Sequence, residues 1–193
     1  FADTTIYIFD LVIPSQSKAI TLYTPSTEGV KSPTAIFADA LDWDKTGSQL
    51  LYDVFHSLPL TGGLPVEFWD VNLLDVDSEI ITRMKTPTEN GFQVGNPAFG
   101  ETNDRYMLCD LFSDVTQYNA VTAFDLFTMK QVEIDTGGYL TLEQGPFPNV
   151  GIPRYAPDDR AVVFQRYDKT ADTFTMFRIP LGPDKMTPSE GAA

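Results

Sequence analysis

The sequence predicts an all-β fold assembled from repeated four-stranded antiparallel units, and three observations carry that prediction. A strand–turn–strand motif recurs three times without gaps. A second motif, an aromatic or apolar pair followed by Asp or Arg and an aliphatic residue, alternates with it in phase along nearly the whole chain. Phase-locked recurrence of two motifs is the signature of a repeat architecture. Finally, Cys109 is the single cysteine, so no internal disulfide can staple the chain and the fold must hold by burial.

The elements follow in order. Residues 6–11 are rich in β-forming side chains, and 18–23 follow after a short turn; they read as a third and a fourth strand without the two strands that should precede them. The first motif occupies residues 41–52, 97–108 and 153–164, and its anchoring aromatics Trp43, Phe99 and Tyr155 stand 56 residues apart. These three are expected at equivalent, largely buried positions. Thr46-Gly47, Asn103-Asp104 and Asp158-Asp159 supply turns, because such residues tolerate positive φ or cap their own backbone. A β-rich run follows each turn. The second motif reads Ile8-Phe9-Asp10-Leu11, Phe68-Trp69-Asp70-Val71, Ala123-Phe124-Asp125-Leu126 and Met176-Phe177-Arg178-Ile179. Its recurrent Asp10, Asp70 and Asp125 are expected to accept backbone N–H groups at turns. Fourth strands are expected at 79–83, 131–134 and, weakly, near Lys185-Met186. Leu73, Val76, Ile80 and Met84 also fall at helical spacing, as do Val121, Phe124 and Phe127. Alignment of both segments with the β-like run at 6–11 decides for strand.

Four short antiparallel strands per ~50 residues describe a propeller blade. The expected fold is therefore a β-propeller segment of about three four-stranded antiparallel blades plus a half blade. The blade units are placed at 5–24, 39–84, 97–135 and 153–187, with a disordered tail at 188–193. The missing inner strands of the half blade imply completion by the rest of a longer parent chain or by self-association.

Composition narrows the function. The 193 residues are 42% apolar and 21% charged, as in a globular protein, and carry a net charge of −14. Such a surface repels phosphate, which argues against nucleic acid as a partner. No apolar run approaches the ~20 residues of a spanning helix, so membrane insertion is not expected. The chain opens Phe1-Ala2-Asp3 without an initiator Met or a leader, as though cut from something longer.

Loops joining a fourth strand to the next first strand, and a second strand to a third, share one face, where propellers commonly bind. Candidate binding residues on that face are His56, Phe92, Tyr118, Tyr139, Phe147 and Tyr167, all placed in or beside long loops. The aromatics suit stacking on a sugar or gripping a peptide; they equally suit plugging the space between blades. His56, the lone histidine, fits a ligand contact or a hydrogen-bonded residue at a strand end. No Gly-x-Ser-x-Gly elbow occurs, and one histidine has no sequence-linked nucleophile, so no catalytic residues are assigned. Cys109 reads as a buried small hydrophobe. One Cys and one His cannot build a zinc site, and Asp75, Asp77 and Glu79 fit a solvated hairpin turn better than a calcium loop. No metal and no cofactor are expected.

The Pro-x-aromatic-x-x-Asp turn signature, followed by an apolar strand and an aromatic–Asp–aliphatic strand, resembles the TolB-like β-propeller family with its WD40-like Pro-Asp repeats. Pro153-Arg154-Tyr155-Ala156-Pro157-Asp158-Asp159 is the closest copy; Leu41 replaces the first Pro in one repeat, and Gly100-Glu101 the small-Pro pair in another. The resemblance covers about residues 5–187. It implies a non-catalytic binding or scaffold module with a protein or peptide partner, in a bacterial periplasmic or secreted protein, cytoplasm being an alternative. Related propellers also imply two other readings: the substrate-gating domain of a larger prolyl-oligopeptidase-type hydrolase, or a propeller enzyme acting on acidic sugars.

Overall fold

A computed structural model describes residues 4–25, 34–59, 63–85, 91–113, 115–116, 118–139, 150–168 and 171–189, the side chains of 85 and 137–139 excepted. Among these residues thirteen strands form four antiparallel sheets. β1 (Thr5–Ile8) and β2 (Lys18–Thr21) make a two-stranded half blade, joined through a 3₁₀ turn at Pro14–Gln16. The first blade is β3 (Thr34–Trp43), β4 (Gln49–Leu58), β5 (Val66–Asp75) and β6 (Ile80–Lys85). The second is β7 (Phe92–Phe99), β8 (Tyr106–Ser113), β9 (Tyr118–Asp125) and β10 (Gln131–Tyr139). The third is β11 (Val150–Tyr155), β12 (Ala161–Asp168) and β13 (Thr173–Pro180). Within each blade strand order equals chain order, and β7 touches both β3 and β11, so the first strands lie beside one another. This is the blade arrangement of a β-propeller.

The core consists of the seams between sheets. Ile6, Ile20 and Leu22 of the half blade pack on Leu50, Tyr52, Val54 and Leu74 of the first blade. Leu51 and Val71 meet Phe99, Met107, Cys109 and Phe124 of the second. Leu108, Val121 and Ala123 meet Tyr155, Val162 and Phe164 of the third. Strand alternation explains the sorting, since successive side chains of β4 and β8 face opposite neighbours.

Two clasps stitch the blades together. The first is at the turns between first and second strands. The N–H groups of Glu101 and Thr102 donate to Asp159 of the next blade at 2.7 and 3.0 Å, and the Lys45 N–H donates to Asp104 at 3.2 Å. The second lies along the first strands, each of which carries a β-bulge. The Asn96 N–H donates to Asp53 Oδ2 at 2.8 Å and the Ile152 N–H to Asp110 Oδ1 at 3.1 Å, each from one blade to the preceding one. Asn96 and Ile152 hold φ of 50° and 53°, a conformation that a β-branched residue adopts only when its surroundings enforce it. The residue before each is glycine. A Cβ on Gly95 would lie 3.2 Å from Asp53 Oδ2, and one on Gly151 3.0 Å from Asp110 Oδ2, so the carboxylates approach where a side chain is missing.

Three expectations are corrected. Phe99 and Tyr155 are 4% exposed, but Trp43 is 43% exposed. The reason is geometric: the half blade packs on β4, β5, β6 and on Ala35 and Ala38 in the first half of β3, and its two strands among the described residues leave the end of β3 outside that cluster. Among the described residues the third blade has three strands; where the weak fourth was expected, Leu181 bridges Pro188, and Met186 drops into the seam with the second blade. Beside that bridge the Ser189 N–H donates to Pro180 O at 2.9 Å. Asp10 and Asp125 do cap turns, through Val12, Ile13, Phe127 and Thr128. Asp70 does not. It is buried in mid-strand, and Asp75 caps the equivalent turn through Ser78. The aromatic–Asp pair at Trp69-Asp70 matched the motif five residues out of register.

Candidate binding face

All four strand ends of the second blade meet at the loop end: Phe92 pairs with Ser113, Ser113 with Tyr118, and Tyr118 with Tyr139. Phe92 and Tyr118 are half-buried and touch edge-on, ring centroids 5.9 Å apart, on the side that packs against the first blade. The Tyr118 hydroxyl donates to Glu133 at 2.9 Å, which fixes the ring. On the first blade, Phe37, Phe55 and Trp69 occupy one register row and touch one another at 5.2–5.5 Å. Phe55 and Trp69 share a face with Leu51 and Val71, so they turn toward the second blade. The Trp69 N–H donates across that seam to Gln93 at 2.8 Å. The third blade carries a comparable pair, Tyr167 on Phe174 at 5.5 Å, with the Tyr167 hydroxyl on Asp172. Aromatic rings are thus gathered at the loop end of each of the three blades, all half-buried except the exposed Phe174, and two sets of them border one seam.

Phe92, Tyr118, Tyr139 and Tyr167 lie in strands, not in the loops where they were expected. The first strands start earlier because a bulge lets them continue through Gly95-Asn96-Pro97 and Gly151-Ile152-Pro153, sequences that read as turn. Phe147 lies outside the described residues. Phe37 and Phe55 carry no signal in the sequence, and Trp69 reads there only as part of the aromatic–Asp motif; an aromatic at the loop end of three consecutive strands is visible only once the strands are in register.

His56 is sealed beneath this face rather than displayed on it. It is two residues before the end of β4, packed on Phe68, with Nδ1 3.3 Å from Thr24 Oγ1 and Nε2 3.8 Å from Asp70 Oδ2. Burial, helped by the Arg83 charge, holds its pKa down at about 4, so the ring is neutral at pH 7. Asp70 is fully buried 2.9 Å from Arg83 Nε, and burial pushes its pKa up to about 7 against that cation. Tyr52 and Asn72 complete this polar patch, which faces the half blade; at the equivalent positions of the second blade Cys109 and Ala120 stand for Tyr52 and Asp70, while Thr122 and Ser113 stand as small buried polar residues for Asn72 and His56. Asp110 is likewise pushed up to about 7 by burial, against its hydrogen bonds from Asn96 Nδ2 and Ile152. Asp70 Oδ1 accepts the N–H of Val71 in its own strand, and Asp110 accepts the N–H of Ile152 from the next blade. Asp75 closes a turn through Ser78, and among the described residues no group of three His, Cys, Asp or Glu could hold a metal ion.

Solved structures supply the comparison. TolB from Acinetobacter baumannii superposes over 97% of this chain at a TM-score of 0.59 and 15% identity, and the tricorn protease over 88% at 0.52 and 12%. The β-propeller domain of the Trilobed protease from Pyrococcus furiosus covers 76% of the chain at 0.47 and 12% identity. The fold is TolB-like. The chain spans 38% of that TolB chain, 15% of the tricorn protease and 44% of the Trilobed domain. No protein-family model and no curated protein sequence matches it. Among the described residues no helix is long and apolar enough to cross a membrane.

Proposed function

We propose that the chain is a non-catalytic propeller module that binds a protein or peptide partner at its loop end, within a larger assembly of blades. The supporting observation is the set of half-buried aromatics, Phe37, Phe55 and Trp69 facing Phe92 and Tyr118 across one seam, with half-buried Tyr167 on exposed Phe174 in the third blade. Rings held by neighbours lose little entropy on contact and offer large apolar area, which suits them to anchor a partner. Glu133 beside Tyr118 and the net charge of −14 favour a partner with basic or donor groups. Completion of the open sheets comes from further polypeptide, and the compartment proposed is the bacterial periplasm or exterior.

Trp69 and Trp43 are the two tryptophans, so a Trp43→Phe protein reports on Trp69 alone. Its fluorescence should shift when an arrayed library of basic and aromatic peptides is titrated in. Phe92→Ala and Tyr118→Ala should weaken the best peptide at least about tenfold, the loss of one anchor. No peptide response, or a response indifferent to both substitutions, sinks this reading. The second reading, a substrate-gating domain whose chemistry lies outside this chain, draws on the likeness to the tricorn protease.

A further inference from the structure

We propose that the turns between third and fourth strands form a second interaction surface, which takes a protein segment carrying basic residues between two apolar ends. These turns lie at the end of the blades opposite the loop-end aromatics, so the proposal goes beyond the reading above and does not depend on it. Three of the turns are built alike. In the half blade the N–H groups of Val12 and Ile13 donate to Asp10 Oδ1 at 2.8 and 2.7 Å. In the second blade those of Phe127 and Thr128 donate to Asp125 Oδ1 at 3.0 and 3.2 Å. In the first blade the Ser78 N–H donates to Asp75 Oδ1 at 2.9 Å. The caps place Val12, Asp77 and Phe127 at one position in successive units, two residues after the capping Asp. Val12 is 88% exposed, Phe127 86% and the Asp77 side chain 91%. Along the rim the order is apolar, acidic, apolar.

The exposure of these tips does not come from an uncovered side of the molecule. The second blade has a neighbour on each side, yet Phe127 is as exposed as Val12. The tips are also held in place. A 3₁₀ turn follows Ile13, with the Gln16 N–H on Ile13 O at 2.8 Å and the Asp10 N–H on Ser17 Oγ at 3.0 Å. The Met129 N–H donates to Asp125 O at 2.7 Å. Arg105, paired with Asp125 through Nε at 3.0 Å, lies over the Phe127 ring. Groups fixed before contact lose little entropy on binding. Exposed Leu11 and Met129 widen the two apolar ends. Charge chooses the occupant. Asp77 and Glu79 are exposed between those ends, and Lys18, 3.9 Å from Asp77, already donates to Val76 O at 2.6 Å. The cations Arg105 and Lys130 stand beside Phe127 and leave the middle of the row acidic. Basic side chains therefore fit the middle and apolar ones the ends. The net charge of −14 disfavours an anionic lipid surface in that place.

Fluorescence anisotropy with a labelled peptide series tests this surface. Each peptide carries leucines at both ends, lysines in the middle and Gly-Ser spacers of increasing length, and each has a counterpart with glutamates in the middle. The best lysine peptide should bind at least about tenfold more tightly than its glutamate counterpart, and Val12→Asp and Phe127→Asp should each weaken it about tenfold. Both substitutions add an acid, which attracts a basic peptide, so the loss reads the apolar contact. Asp77→Lys should reverse the preference between the two counterparts. All three side chains are exposed and each turn keeps its Asp cap, so the variants retain the fold. No binding by any lysine peptide, or binding indifferent to Val12→Asp and Phe127→Asp, overturns the proposal. Loss on Phe92→Ala and Tyr118→Ala alone puts the peptide at the loop end, overturning this proposal and leaving the loop-end reading intact. Flotation with phosphatidylcholine vesicles that Val12→Asp abolishes overturns it in favour of a membrane surface.

Discussion

Asp53 and Asp110 sit where a residue-by-residue reading sees only acids in apolar strands, yet each joins two blades through a backbone N–H. Their cost is ionisation in a buried place, and this makes folding pH-dependent. Asp70 and Asp110, pushed up to about 7, hold protons in the folded chain that the unfolded chain releases near pH ~4. Between those values the folded state binds more protons, so stability falls as pH rises. His56 opposes them: with its pKa held at about 4, the unfolded chain binds the extra proton between ~4 and ~6.5, and that contribution rises with pH. Two groups outweigh one. The urea midpoint should therefore fall between pH 5 and 7, and Asp110→Asn should flatten that slope. A midpoint that climbs over this window contradicts the burial assigned to these carboxylates.

The repeated strand–turn–strand element is not equally covered in its three copies. Phe99 fills the seam between first and second blades, so Phe99→Ala should cost on the order of 3–5 kcal/mol, the range for core aromatics. Trp43 holds the equivalent place but lies at the end of β3 outside the half-blade cluster, and Trp43→Ala should cost about 1 kcal/mol or less. Paired denaturant titrations of the two variants compare the positions directly. Equal losses would mean that the first strand of the first blade is covered as well as that of the second.

Across the whole molecule, each blade touches only its neighbours, so stability is a chain of seams rather than one core. The half blade adds two strands over a polar patch that contains Asp70, His56 and Arg83, whereas the seam between second and third blades is apolar and doubly clasped by Asp110 and Asp159. Amide exchange should accordingly be fastest in β1 and β2 and slowest in β8 and β9. Equal protection throughout would show that the blades open together and that the clasps do not set the order.

The 56-residue spacing of Trp43, Phe99 and Tyr155 made the all-β repeat fold legible without coordinates, because turn residues and β-rich runs are local signals. The turn caps at Asp10 and Asp125 were legible for the same reason. The aromatic face is only partly so: Phe92, Tyr118 and Tyr167 stand out as residues, but their segments read as loops, since a bulge places Gly and Pro inside a strand. Which acid caps a turn and which is buried, Asp75 or Asp70, depended on a register that a five-residue slip in a degenerate motif could disguise. The clasps at Asp53 and Asp110, the seal around His56 and the row of turn tips at Val12, Asp77 and Phe127 were decided only in three dimensions. Local sequence determines where strands and turns form; what covers a strand, and which distant N–H a carboxylate meets, is determined by the neighbouring blade.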